Sequence, residues 1–160
     1  MAIEKVREYL KQYGRQQDIK EFEKSSATVE LAAKAAGVEP ARIAKTLSFC
    51  GKEEGSCILV VTAGDRKVDN SKFKHFFGLK AKMPKGEEVE ALTGHAVGGL
   101  CPFANPSGAE VYLDESLKRF QTVFPAAGSA NSAIELSMEE LEKYSHAKEW
   151  IDVCKGWQEA

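Results

Sequence analysis

The stretch Arg42 to Cys50 carries the first residue type able to do chemistry. Read as a strand, its period of two sets Ile43, Lys45, Leu47 and Phe49 on one face and Ala44, Thr46 and Ser48 on the other. Lys45 therefore shares an apolar face. Burying an unpaired ammonium is costly, so such a lysine either snorkels to an edge or meets an anion at the floor of a pocket. Spacing alone favours snorkelling; in the other case the amine could hold a phosphate or polarise a carbonyl.

A second feature is the segment Gly94-His95-Ala96-Val97-Gly98-Gly99-Leu100-Cys101-Pro102-Phe103. Paired glycines let backbone approach a ligand and expose N–H groups that could stabilise an oxyanion, and Pro102 stiffens the exit. A tight structural turn would use the same residues. A third is the run of small residues Pro125 to Ser132, around Gly128, Ser129 and Ala130, which leaves room for a ligand or for close packing.

Between Arg66 and Lys85 stand seven basic residues, Arg66, Lys67, Lys72, Lys74, Lys80, Lys82 and Lys85, against one acid, Asp69. The whole chain carries −2, so this patch of +6 leaves −8 elsewhere. It is either a solvated face or a surface for a phosphate backbone. Cys101 and His95 lie six residues apart and form a rival nucleophile pair, but no third group to orient the base is evident. Cys50, Cys57, Cys101 and Cys154 show no CxxC spacing, so neither a metal site nor a cofactor is expected and the thiols read as packed and reduced. His75 and His146 have no paired ligand in view, and Asp65 with Arg66 reads as a turn plus an ion pair.

The elements that must position these residues follow from periodicity. Ile3, Val6, Leu10 and Tyr13 predict an amphipathic helix ending near Gly14. A short strand about Ile19 and Phe22 precedes a capped helix, Val29 to Ala36, closed by Gly37. Arg42 to Cys50 and Cys57 to Ala63 predict a hairpin, the second strand apolar on both faces. Asp69 or Asn70 caps a helix through Phe77; then come a brief strand, Lys80 to Met83, and a helix, Pro84 to Leu92. Further strands are expected at Ala109 to Leu113, Gln121 to Phe124, Ser132 to Leu136 and Trp150 to Val153. A capping box, Ser137 with Glu140, starts a helix from Met138 to Tyr144. Short strands interrupted by helices without a βαβ rhythm argue for an α+β fold around a curved sheet.

With 160 residues, 43% hydrophobic and 29% charged, the chain fits one domain spanning 1–160. No run approaches the roughly 18 apolar residues of a membrane helix, and the first residues do not read as a signal peptide, so a cytoplasmic location is expected.

In order, Lys45-Thr46-Leu47, Gly64 to Asp69, Gly94-His95 through Pro102-Phe103, and the Gly128-Ser129-Ala130 loop before Ile134-Glu135-Leu136 resemble the YbaK/prolyl-tRNA-synthetase-associated editing family. The resemblance runs from about Thr28 to Trp150. It implies a compact α+β domain with a curved, largely antiparallel, barrel-like sheet and surrounding helices. The implied activity is trans-acting hydrolysis of the ester of misacylated tRNA, commonly cysteinyl- or alanyl-tRNA for proline.

By the same resemblance Lys45 matches the family's pocket lysine, Gly98 to Pro102 its GxxxP element, and Gly128 its late glycine loop. The implied site has Lys45 as catalytic cation with Gly98 and Gly99 as backbone donors. Thr46, Leu100, Cys101, Pro102, Phe103, Gly128, Ser129 and Ala130 would meet the substrate, and Arg66, Lys67, Lys72 and Lys74 the RNA. The implied partners are the acceptor end of misacylated tRNA and prolyl-tRNA synthetase, with no membrane and no metal. Members acting on cysteinyl-tRNA often carry aspartate where this chain has Ala133, and alanine-directed ones asparagine where it has Thr46, so the amino acid removed is left open. A module that binds tRNA or a nucleotide without hydrolysis is the alternative, since a lysine clamp and a basic patch would serve it equally.

Overall fold

The structure, a computed structural model, describes residues 2–25, 28–95 and 100–155. Helix α1 (Ala2–Lys11) sends Ile3, Val6 and Leu10 into the main core. After the short strand β1 (Lys20–Glu21), α2 (Val29–Ala36) starts with the Thr28 hydroxyl accepting from the Leu31 amide, and ends at Gly37. The hairpin expected next is present as β2 (Ile43–Cys50) and β3 (Cys57–Ala63), antiparallel from Ala44↔Ala63 to Cys50↔Cys57.

A two-residue strand, β4 (Lys67–Val68), leads to α3 (Asn70–Phe77), capped by Asp69 and closed by Gly78 at φ +73°, a left-handed conformation that favours glycine. Lys80 to Met83, expected as a strand, has no ladder; it is tied to β2 through the Cys50 amide donating to the Lys82 carbonyl at 2.7 Å. Helix α4 (Gly86–Thr93) precedes β5 (Ala109–Asp114) and β6 (Thr122–Pro125).

Two expected strands are each broken at a corner. Ser132 to Leu136 divides into β7 (Ser132–Ala133), paired with β1, and β8 (Leu136–Ser137), paired with β6, because Ile134 dips into the core between them. Helix α5 (Met138–Ser145) follows with its capping box formed as expected. The strand expected at Trp150 to Val153 is cut short at Ile151 as β9 (Trp150–Ile151), beside β5, and a separate strand, β10 (Cys154–Lys155), follows beside β4.

The main sheet is curled into a half-barrel with strand order β8-β6-β2-β3-β5-β9. The α+β class holds, but the pairing is mixed rather than largely antiparallel: β2 with β6, β3 with β5 and β5 with β9 are parallel. The segments carrying α3, α4 and α5 supply the long crossovers such pairs require.

The two faces of the sheet have separate cores. On one, Leu59, Val61, Val111 and Leu113 pack with α1, α5 and the Cys101–Phe103 segment. On the other, Phe49, Ile58 and Val60 pack with Phe73 of α3 and with Ile151 and Val153.

Candidate active site

Lys45 lies opposite Thr62 on the β2–β3 ladder and shares the face of Leu47 and Phe49, as alternation predicts. Its side chain is half-buried, and among the described residues its amine makes no hydrogen bond or ion pair. Desolvation holds its pKa below the ordinary lysine value and outweighs the surrounding charges. Those charges are mixed: Asp65 and Glu30 favour the cation, and Lys67 opposes it.

β2 and β6 pair only at Ile43↔Phe124 and Ala44↔Pro125. Beyond Ala44 the β6 chain leaves the ladder through the small-residue run, so Lys45 and Thr46 come at the point where the two strands part. Thr46 points to the main-core face, opposite Lys45, and among the described residues its buried hydroxyl has no hydrogen-bond partner. In the run itself Gly128 is buried at φ +100°, a backbone state L side chains rarely adopt. The Ser129 hydroxyl lies 3.0 Å from Asn131 Oδ1 and 2.8 Å from Ser132 Oγ, and Ala130 is exposed. The N-terminal segment clamps this loop: the Phe22 amide donates to the Asn131 carbonyl at 2.7 Å and Asn131 Nδ2 returns a bond to the Phe22 carbonyl at 2.9 Å.

Gly98 and Gly99, expected to offer backbone donors, lie outside the described residues. Of the segment after them, Leu100 is partly exposed, Pro102 is buried, and Cys101 and Phe103 are wholly enclosed in the main core. Cys101 and His95 do meet, Sγ to Nε2, at 3.6 Å. His95 Nε2 is also 2.8 Å from the Phe103 carbonyl, which can only accept, so that nitrogen carries the hydrogen and cannot take the thiol proton. Burial pushes the Cys101 thiol up to about 12 and the imidazole down, so both groups stay neutral. The pair is packing around a carbonyl and not an activated nucleophile.

The four residues expected to meet RNA divide in two. Lys67 and Lys74 are exposed. Lys72 instead ties α3 to the last strand, its amine donating to Asp152 Oδ1 at 3.1 Å and to the Cys154 carbonyl at 2.9 Å. Arg66 is partly buried against Asp65 at 3.5 Å. Asp65 is also clasped by Arg119, through 3.1 and 2.6 Å hydrogen bonds, and that guanidinium is the main reason its pKa lies below the usual carboxylate value.

Two wholly buried polar residues escaped the sequence reading, Asp114 and Ser116. Alternation in Ala109 to Asp114 sets Asp114 on the face opposite Ala109, Val111 and Leu113; it is the parallel register with β3 that makes this the face of Lys45.

Four clefts bounded by described residues, of about 360, 420, 430 and 440 Å³, have no wall from Lys45. Of the expected site only Pro102 borders one, the 360 Å³ cleft beside Tyr9 and His146. Among the described residues no cluster of three or more His, Cys, Asp or Glu side chains could hold a metal ion, and no helix is long and apolar enough to cross a membrane.

Residues 23–144 match the family model of the aminoacyl-tRNA editing domain. The chain is 56% identical over 158 residues to YwhH of Bacillus subtilis, an uncharacterized protein, covering 99% of this chain and 100% of that one. It is 30% identical over 115 residues to EbsC of Enterococcus faecalis, whose name makes it a candidate Cys-tRNA(Pro)/Cys-tRNA(Cys) deacylase, with 71% and 70% of the two chains covered. A solved structure described as a candidate trans-editing enzyme for prolyl tRNA synthetase superposes with a TM-score of 0.85 at 29% identity, covering 97% of this chain and 98% of that one. The family model spans most of the chain and these likenesses agree with it: the chain belongs to the aminoacyl-tRNA editing domain family.

Proposed function

We propose that this chain is a trans-acting deacylase that hydrolyses the ester between tRNA and a wrong amino acid, with cysteinyl- and alanyl-tRNA(Pro) as its first-choice substrates. The observation that supports this most is the half-buried Lys45 amine, which has no protein partner among the described residues and keeps hydrogen-bonding capacity for an incoming anion. A lysine kept only for stability would be expected to pair or to reach water, because an unpaired ammonium gains nothing from burial.

Aminoacyl esters are already activated, so the site needs no serine or cysteine nucleophile. Its task is to hold the terminal adenosine, orient the carbonyl and stabilise the oxyanion that forms when water attacks. Lys45 supplies the positive charge, on the terminal phosphate or on the ester carbonyl. The Gly98 and Gly99 amides supply neutral donors, and the leaving 2′- or 3′-hydroxyl departs with the tRNA.

Leu100 and the Gly128–Ala130 loop bound the amino acid, with Cys101, Pro102 and Phe103 holding the loop from beneath, while Thr46, expected to meet the substrate, faces the other side of the sheet from Lys45 and packs behind the site. Lys67 and Lys74, with Arg66 and Lys72 behind them, attract the phosphate backbone. The protein would work in the cytoplasm, downstream of prolyl-tRNA synthetase. Purified protein mixed with cysteinyl-, alanyl- and seryl-tRNA tests the reading. Ester loss that vanishes in Lys45→Ala is expected, and tight binding without turnover would make the chain a tRNA-binding module instead.

A further inference from the structure

Cys50 and Cys57 form the last register pair of the β2–β3 ladder, directly opposite each other before the turn at 51–56. The pair is of the non-hydrogen-bonded kind. The Gly51 amide donates to the Ser56 carbonyl at 3.2 Å, so the hydrogen-bonded position is the next one out. The two cysteines turn their own amides away from each other, Cys50 donating to the Lys82 carbonyl at 2.7 Å and Cys57 to the Gly108 carbonyl at 2.9 Å.

Residues so paired lie about 4.5 Å apart at Cα, with their side chains on one face of the sheet and closer than at the alternating hydrogen-bonded positions. A disulfide needs Cα atoms about 4.4–6.8 Å apart and Cβ vectors that do not diverge. Backbone register therefore meets the requirement, and the outward bonds to Lys82 and Gly108 hold both strands in it. The other two cysteines have no such partner among the described residues: Cys101 is enclosed beside His95, and Cys154 on β10 is registered with Val68.

We propose that Cys50 and Cys57 form a reversible redox site, a dithiol that hydrogen peroxide converts to a cross-strand disulfide. The two thiols differ as such a site requires. Cys50 is partly exposed and borders the cleft of about 430 Å³, where an oxidant reaches it, whereas Cys57 is 1% exposed and packs in the main core.

The Cys50 sulfur attacks the O–O bond of the peroxide, giving a sulfenic acid and releasing one water. The Cys57 sulfur then displaces the sulfenic oxygen, which leaves with the Cys57 proton as a second water while the S–S bond forms. Two thiols lose two electrons and the peroxide gains them. Burial pushes the Cys57 thiol up to about 11, so at neutral pH it keeps its proton and serves as the resolving group, not the first one attacked.

The pairing protects the hairpin. A sulfenic acid at Cys50 with no thiol opposite goes on to the sulfinic acid, which thiols do not reverse, whereas a disulfide at an exposed strand end is of the labile kind that they reduce. Lys45 stands five residues back along β2, roughly 16 Å away, so the bond ties the strand that carries it without entering its surroundings.

The test treats the purified wild-type protein with hydrogen peroxide, blocks free thiols with iodoacetamide after unfolding, and maps unreduced peptides by mass spectrometry. The expected product is an intramolecular Cys50–Cys57 link that dithiothreitol returns to two alkylatable thiols. Under the same treatment Cys50→Ser leaves Cys57 free, and in Cys57→Val the Cys50 sulfur goes on to sulfinic acid. Should the valine variant not fold, wild type and Cys50→Ser still decide. Sulfinic acid at Cys50 of wild type with Cys57 free, a Cys50–Cys50 link between two copies, or two untouched thiols would each overturn the proposal. None of these results bears on ester hydrolysis, so a failure here leaves the functional reading standing.

Discussion

Arg119, just past β5, clasps Asp65, in the turn after β3, with two hydrogen bonds of 3.1 and 2.6 Å. This two-point clasp fixes the start of the Asp65–Asp69 segment, and Asp65 is one of the anions that favour the Lys45 cation.

The clasp makes a prediction about acid. The Asp65 pKa is lower in the folded state, chiefly through Arg119, so its stabilisation is present above the unfolded carboxylate value, about 3.9, and is lost as pH falls through the folded value. Because the pair is partly exposed, Asp65→Asn should cost no more than about 1 kcal/mol near neutral pH. Urea unfolding at pH 7 and at steps of lower pH should show that difference in full at the first and a progressively smaller one as pH falls below the unfolded carboxylate value.

Gly64 fits where nothing larger can. A Cβ there would run into the Pro40 carbonyl oxygen and stand 2.8 Å from Val29 Cγ1 at the start of α2. Since the obstacle is backbone, Gly64→Ala should destabilise by about 1–3 kcal/mol. It should also slow deacylation by displacing the turn that carries Asp65 past Lys45. Thermal melts and single-turnover rates measure the two effects separately.

The basic residues should separate by role. Lys67→Ala and Lys74→Ala should raise KM for tRNA, leave kcat near wild type and lower the slope of log affinity against log salt by about 1 each. Lys72→Ala should instead destabilise the fold by about 1 kcal/mol through its lost bonds to Asp152 and the Cys154 carbonyl. Salt-dependent binding curves and chemical denaturation distinguish these outcomes.

Cys101→Ser should leave the deacylation rate within about twofold of wild type, because His95 Nε2 donates to a carbonyl and the thiol stays protonated up to about 12. Cys57, Cys101 and Cys154 are buried and only Cys50 is partly exposed. A thiol reagent added to the native protein should therefore label Cys50 alone.

Much of this was legible in the sequence because local signals and tertiary structure agree. Thr28 and Gly37 delimit α2 in the structure as their residue types require, and the apolar alternation of Ile43 to Phe49 gave Lys45 its true face. What the sequence did not carry was partnership at a distance. Alternation marks Ala109 to Asp114 as a strand but not that it runs parallel to β3, and so it could not reveal that Asp114 joins the face of Lys45. Ser132 to Leu136 reads as one strand since its polarity is continuous, yet Ile134 turns inward and the chain changes sheets.

The most direct test is the rate of ester loss from cysteinyl- and alanyl-tRNA(Pro) under single-turnover conditions for wild type, Lys45→Ala and Lys45→Met, with folding checked by thermal melts. The account predicts a loss of about 10²-fold or more, the scale of removing one oxyanion donor, with melting temperatures equal to or above wild type because an unpaired, half-buried ammonium has been removed. Wild-type turnover of both substrates by folded Lys45→Ala would contradict it.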